Sequence, residues 1–323
     1  MKRFFVKFLA YLLALLLPCA AFFWYQQQFP AVYKNTFMGT VPVKLRILQE
    51  TPSPKVMIIS GSSGPYAIEA ETMERALGMP CVVSGSVARL GMEFCLSFAQ
   101  DEIGAGDIVI VEPEFQIWAG ELNYYIVWCS IQNYYELYRY VPLSYWPGLI
   151  TYYYDYVRQR NISFDRDAPE ADLMEAYRSM NFGPRGDLLL ERGLMLEHGY
   201  NTEDITAVEP GLLDMDSMRA LNRFVREMQA RGAQVYVNFA PYARAAVSTT
   251  PEEIAAFEQK VIDTCDAPVI SRLEDSLVES RYICDTNNHL NSEGAHLYTR
   301  MLLENLSAAG VPVDWAALEA NAE

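Results

Sequence analysis

The chain contains three histidines, His198, His289 and His296. One of them stands in a run that could do chemistry, Asp285-Thr286-Asn287-Asn288-His289-Leu290-Asn291-Ser292-Glu293-Gly294. A carboxylate four residues before an imidazole can hold that ring in one tautomer, provided the loop between them bends back. On an extended strand the two would lie about 13 Å apart, at ~3.3 Å per residue. Far upstream, Ser60-Gly61-Ser62-Ser63-Gly64 puts serines on a glycine-flanked bend. A serine hydroxyl is a poor nucleophile until a base takes its proton. Ser62 early, with Asp285 and His289 late, is an order that a Ser-His-Asp hydrolase can use. Each piece alone has a plainer account. Gly-Ser-Ser-Gly is an ordinary turn or helix cap, His289 a satisfied loop histidine, and Asp285 a turn residue.

The surrounding pattern predicts what positions these groups. Val56 to Ser60 reads as an apolar strand, followed by a turn and a helical stretch from Ile68 to Leu77. Pro80 to Gly85 reads as a second short strand, Gly91 to Ala99 as a helix, and Ile108 to Val111 as a fully apolar strand ending at Glu112-Pro113-Glu114. Later come a helix over Met215 to Arg231, a strand over Gln234 to Phe239, and a capping box at Thr250-Pro251-Glu252-Glu253 that opens a helix to about Thr264. A strand at Tyr282-Ile283-Cys284 and a helix from Ser292 to about Ala308 complete the series.

Short apolar strands alternating with helices predict a parallel sheet covered on both faces. The expected fold is therefore α/β, a three-layer α/β/α sandwich with a flavodoxin-like parallel sheet over residues 55–310. Functional groups in such sheets gather beyond the carboxyl ends of the strands. Ser62, Ser63, Gly85, Glu112, Glu114, Asn238, Asp285 and His289 all fall on that rim. Glu112 and Glu114 read either as paired carboxylates for acid–base work or as solvated charges after a strand. Residues 120–200 interrupt the alternation with a tyrosine-rich stretch, expected as a helical insertion. Its aromatics either pack over the sheet or face a bilayer interface or a saccharide.

Both ends of the chain differ from this body. Lys2, Arg3 and Lys7 precede an uncharged apolar run from Phe8 to Tyr25. This predicts a signal anchor over residues 1–30, with the N-terminus cytoplasmic and the bulk outside. Cleavage after Cys19-Ala20-Ala21 is the alternative, and would give a secreted protein. Residues 31–54 read as a linker with a short amphipathic stretch, and 311–323 as a C-terminal tail. With 51% hydrophobic and 20% charged residues, the composition is that of a folded protein. A net charge of −16 with scattered basic residues argues against nucleic acid as a partner. The six cysteines form no CxxC or Cys/His cluster, so neither metal nor cofactor is expected.

These residues carry a resemblance. The chain resembles the SGNH (GDSL-like) hydrolases, specifically a membrane-anchored, extracytoplasmic branch. Ser60-Gly61-Ser62 stands where that family has Gly-Asp-Ser after the first strand, and Ser84-Gly85 follows the second. The late Asp285/His289 pair is followed by Leu290-Asn291 and Gly294. Gly106-Asp107-Ile108-Val109-Ile110-Val111-Glu112-Pro113-Glu114-Phe115 is similar to the branch's third block. The resemblance covers roughly residues 55–118 and 210–308. It implies Ser62 as nucleophile, His289 as general base and Asp285 as its orienting acid. It also implies an oxyanion hole from the N–H groups of Ser62 or Ser63 and of Gly85. Three departures stand out. Gly61 replaces the family's aspartate, the Asp-to-His spacing is one residue longer, and Glu112-Pro113-Glu114 replaces the third-block asparagine, for which Asn238 is the candidate substitute.

The implied function is a serine esterase or O-acyltransferase acting on an acylated cell-surface glycan or other envelope ester, beside a membrane-bound acyltransferase. The alternative, favoured by the missing asparagine, is a catalytically silent domain of the same fold that binds a glycan or scaffolds a membrane complex. A third option is a secreted lipase released near Ala21.

Overall fold

A computed structural model describes residues 1–29, 33–163 and 177–319. Parts of the expected anchor and linker (30–32), insertion (164–176) and tail (320–323) lie outside the described residues. The protein is mixed α/β. Helix α1 (Lys2–Gln26) comes first, with no charge between Phe8 and Tyr25. Its 25 residues include an 18-residue stretch of mean hydropathy 2.1, long and apolar enough to cross a membrane.

Next come α2 (Val41–Glu50), β1 (Val56–Ser60), α3 (Ser63–Ala67), α4 (Ala70–Leu77), β2 (Cys81–Val83), α5 (Met92–Gln100) and β3 (Ile108–Glu112). The tyrosine-rich region forms α6 (Phe115–Trp118), α7 (Tyr124–Ile131), two 3₁₀ turns and α8 (Trp146–Ser163). The chain continues through α9 (Met215–Ala230), β4 (Gln234–Val237), β5 (Tyr242–Ala243), α10 (Pro251–Thr264), α11 (Leu273–Ser276), β6 (Leu277–Val278), α12 (Ser292–Ala308) and α13 (Trp315–Glu319).

Four strands form one parallel sheet in the order β2-β1-β3-β4. Their residues are buried almost throughout, the exception being Gln234 at the start of β4. Burial on both faces is why these strands read as unbroken apolar runs rather than alternating ones. Two sets of helices pack together: α3, α4, α12 and α13 in one, and α2, α5 and α9 in the other. The amino ends of β1 and β3 are locked by Asp107. Its carboxylate accepts from Lys55 N at 2.9 Å, Gly104 N at 2.8 Å and Ser53 Oγ at 2.9 Å, beside the buried Lys55 ammonium at 3.4 Å.

Three expectations are corrected. Residues 41–50 are no linker. Helix α2 buries Val41, Lys44, Leu45 and Leu48, an i, i+3, i+4, i+7 face, in the core. Residues 311–319 are no free tail: Val311 is buried, Asp314 N donates to Ala76 O at 2.7 Å, and α13 packs on α4. Residues 282–284 add no strand to the sheet. Cys284 N donates to His289 O and Cys284 O accepts from Met195 N, each at 2.8 Å, so loops take the bonds that a sheet would need.

The aromatic region packs around Trp128. Its ring contacts Tyr153 at 4.8 Å and Trp146 at 6.4 Å, and its Nε1 donates to Leu149 O at 2.9 Å. Phe23 of α1 joins this cluster, 5.3 Å from the Tyr153 ring and 6.3 Å from Trp128.

Candidate active site

The chain leaves β1 at Ser60 and turns through Gly61 into α3, and β3 pairs alongside with Glu112 opposite Ser60. The connection from β1 runs to β2 on one side, and β3 lies on the other. The strand order reverses between β1 and β3, and it is at the carboxyl ends of such a pair that open parallel sheets hold their ligands. Ser62 and Glu114 flank that point.

Glu114 is 2% exposed and grips the turn from beneath. Its carboxylate accepts from Gly61 N at 2.8 Å and from Ser63 N at 2.6 Å. Burial pushes its pKa up, and these N–H bonds pull it part of the way back. A Cβ on Gly61 would sit 2.2 Å from Glu114 Oε2, so only glycine fits there. The residue before Ser62 is thus dictated by a carboxylate that follows β3. Ser63 was expected as an oxyanion donor. Its N–H is already committed to Glu114, and this corrects that assignment.

His289 and Asp285 come together because their loop closes on itself. Ile283 pairs with Leu290 in an antiparallel bridge, and Cys284 N binds His289 O at 2.8 Å. Asn287 ties the loop tip to the body. Its side chain accepts from Asn201 N at 2.7 Å and donates to Asp204 O at 2.6 Å and Asn201 O at 3.1 Å. Asn291 caps α12 by accepting from Gly294 N at 2.9 Å. His289 Nδ1 then lies 3.0 Å from Asp285 Oδ1, with both side chains buried. Burial pushes the Asp285 carboxyl up, but bonds from His289 and Tyr177 outweigh it and the net shift is downward. Tyr66 stacks on the imidazole at 3.8 Å and 7°, and Tyr177 OH reaches Nδ1 at 3.4 Å. The ring is therefore oriented on one face and one edge, and its Nε2 makes no protein hydrogen bond among the described residues.

Ser62 makes no hydrogen bond to His289. Its Oγ accepts instead from Nδ2 of the adjacent Asn288, at 3.3 Å. Asn288 is in turn aimed by Thr286, whose Oγ1 donates to Asn288 Oδ1 at 3.1 Å. Sequence reasoning gave Asn288 no place in the site, although its position beside His289 was a signal.

Gly85 follows β2 in the same region. A Cβ there would meet Ser60 Oγ at 2.3 Å and Gly61 O at 2.5 Å, so the backbone after β2 lies directly against the serine turn. Its carbonyl accepts from Lys44 Nζ. Lys44 is 1% exposed, lies 5.0 Å above the Phe37 ring and 5.4 Å above Phe182, and its pKa is lowered to about 7 by burial, against a partial opposing pull from Asp187. This lysine was missed because its helix was read as a linker.

Glu112 and Asn238 are a second correction. They do not line the serine turn. Glu112 Oε1 accepts from Asn238 Nδ2 at 2.7 Å and from Tyr298 OH, and all three residues are buried in the core. Asn238 Nδ2 also faces Phe239 O at 3.2 Å and Tyr298 OH at 2.8 Å. It has no donor left for an oxyanion. Burial raises the Glu112 carboxyl to about 8, against the lowering effect of its Tyr298 and Asn238 bonds.

No family model matches the chain, and no curated protein matches it. What the site can do rests on its own geometry. An imidazole held at Nδ1 by a carboxylate, with Nε2 free, stands one residue from the contact to a serine on a tight turn. That is the equipment of a general base beside a nucleophile.

Proposed function

We propose that the protein is a membrane-anchored serine esterase or O-acyltransferase of the SGNH (GDSL-like) type, acting on an acylated cell-surface glycan or other envelope ester. The observation that carries this reading is the buried Asp285–His289 pair at 3.0 Å, with Ser62 bound to the residue next to His289. The strand order β2-β1-β3-β4 supports it, being the beginning of a flavodoxin-like sheet, and the two helix sets fit the faces of a three-layer sandwich. Helix α1 supports an anchor, with Lys2, Arg3 and Lys7 on the cytoplasmic side and the catalytic body outside. Working beside a membrane-bound acyltransferase would suit that placement.

In the proposed reaction Ser62 Oγ attacks the ester carbonyl as His289 Nε2 takes its proton. Asp285 holds Nδ1–H and stabilises the imidazolium. Collapse of the tetrahedral adduct breaks the acyl–oxygen bond, and His289 returns the proton to the leaving alkoxide. Water or an acceptor hydroxyl then attacks the acyl-serine by the same steps in reverse. Ser62 has to turn from Asn288 toward His289 on substrate binding, a tightening usual for hydrolases solved without ligand.

A second reading, a silent binding or scaffold domain, is favoured by the missing Ser62–His289 bond and by the Ser63 N–H being taken by Glu114. One experiment separates the two. A fluorophosphonate probe should label the protein, Ser62→Ala should abolish labelling, and Ser63→Ala should retain it. Asp285→Asn should lower ester turnover roughly 10⁴-fold with the fold intact. Labelling that survives Ser62→Ala removes the nucleophile assignment, and no labelling at all leaves the silent domain.

A further inference from the structure

We infer that Asn288 is the side-chain oxyanion donor of this site, filling the role left empty by Glu112-Pro113-Glu114. The inference rests on the serine-hydrolase reading above. An oxyanion forms on the carbon bonded to Ser62 Oγ, so its donors must sit within reach of that oxygen. Three candidates for the role are out of reach or engaged. Ser63 N donates to Glu114 at 2.6 Å, Asn238 is buried against Glu112 and Tyr298, and the third-block glutamates are turned to other partners, Glu112 to Asn238 and Tyr298 and Glu114 to Gly61 N and Ser63 N.

Asn288 has what these lack. Its Nδ2 is a donor 3.3 Å from Ser62 Oγ, which puts it beside the nucleophile and within reach of an oxygen on the carbon that Oγ would attack. Its polarity is set: the Thr286 hydroxyl occupies Oδ1 at 3.1 Å, which turns the amide N–H₂ toward the serine. Its position is set as well, because Asn287 on one side is anchored to Asn201 and Asp204 and His289 on the other is anchored to Asp285. Oxyanion donor and general base therefore ride on one loop, as neighbours in sequence. When Ser62 rotates to His289, the Nδ2–H it leaves is released for the carbonyl oxygen.

The test uses the full-length protein in detergent with p-nitrophenyl acetate. Asn288→Ala should lower kcat about 10²- to 10³-fold with KM changed only a few-fold, the mark of an interaction made in the transition state. Asn288→Asp, which keeps the shape and removes the donor, should lose at least as much, and it serves if the alanine variant folds poorly. Thr286→Val should cost about tenfold by loosening the amide. A kcat within a few-fold of wild type in Asn288→Asp, or a loss confined to KM, overturns the inference while Ser62-dependent turnover by the wild type keeps the hydrolase reading. Absence of any Ser62-dependent turnover or probe labelling overturns both.

Discussion

Two buried carboxylates at the end of β3 differ by two residues and do different work. Glu114 satisfies backbone N–H groups of the serine turn, and Glu112 sits in a side-chain network with one oxygen, Oε2, lacking any hydrogen bond among the described residues. Burial of Glu112 keeps its proton on to about pH 8, whereas the unfolded chain releases it near the ordinary value of 4.5. The folded state then binds more protons than the unfolded state between those limits, so this group makes stability fall as pH rises through that window. The slope reaches at most about 1.4 kcal/mol per pH unit. Glu112→Gln, which mimics the protonated acid, should flatten the profile and raise Tm above pH 8 relative to wild type. Thermal melts from pH 5 to 9 check this, and parallel curves for the two proteins would exclude a titrating Glu112.

At the scale of elements, the Asp285–His289 loop depends on a residue outside the proposed triad. The Asn287 side chain, 1% exposed, makes three hydrogen bonds to the segment around Asn201 and Asp204. Asn287→Ala removes all three and leaves Asn201 N and Asp204 O without these partners, a loss of roughly 2–3 kcal/mol. The expected outcome is a lower Tm together with reduced ester turnover, since Asp285 and His289 lose the fixed bend between them. Hydrogen exchange should show faster opening confined to residues 284–291. Unchanged exchange there would mean that the Ile283–Leu290 bridge holds the loop without help.

For the whole molecule, the junction between α1 and the body is part of the fold. Asn133 Nδ2 donates to Gln27 O at 2.8 Å and Phe29 O at 2.6 Å, and Asn133 N donates to Gln27 Oε1 at 3.0 Å. Asn133 adopts φ of 68°, so glycine is the substitution that removes the side chain without adding backbone strain. Asn133→Gly and Phe23→Ala should each speed tryptic cleavage after the exposed Lys34 in detergent, with the body still folded. Equal cleavage rates would show that α1 is only loosely attached. Further along, Phe37 meets Tyr66 edge-on at 6.0 Å, and Tyr66 stacks on His289 at 3.8 Å. Phe37 thus packs against the ring that covers one face of the histidine.

The amino-acid sequence by itself determined the elements whose signals are local. The strand over Val56–Ser60, the β3 run, the Thr250/Glu253 capping box and the α12 start beside Asn291 were legible, because burial on two faces and helix capping leave continuous or short-range marks. So was the Asp285/His289 pair, four residues apart within one loop. Tertiary structure decided the rest. Only packing reveals that Lys44 points inward from α2 to the Gly85 carbonyl, 41 residues away. The contact of Asn288 with Ser62 spans 226 residues and leaves no periodic trace in either segment. Glu114 against Gly61 and Glu112 against Tyr298 look identical as letters after a strand. They diverge because the two side chains meet different buried donors, backbone N–H groups for one and the Asn238 amide and Tyr298 hydroxyl for the other.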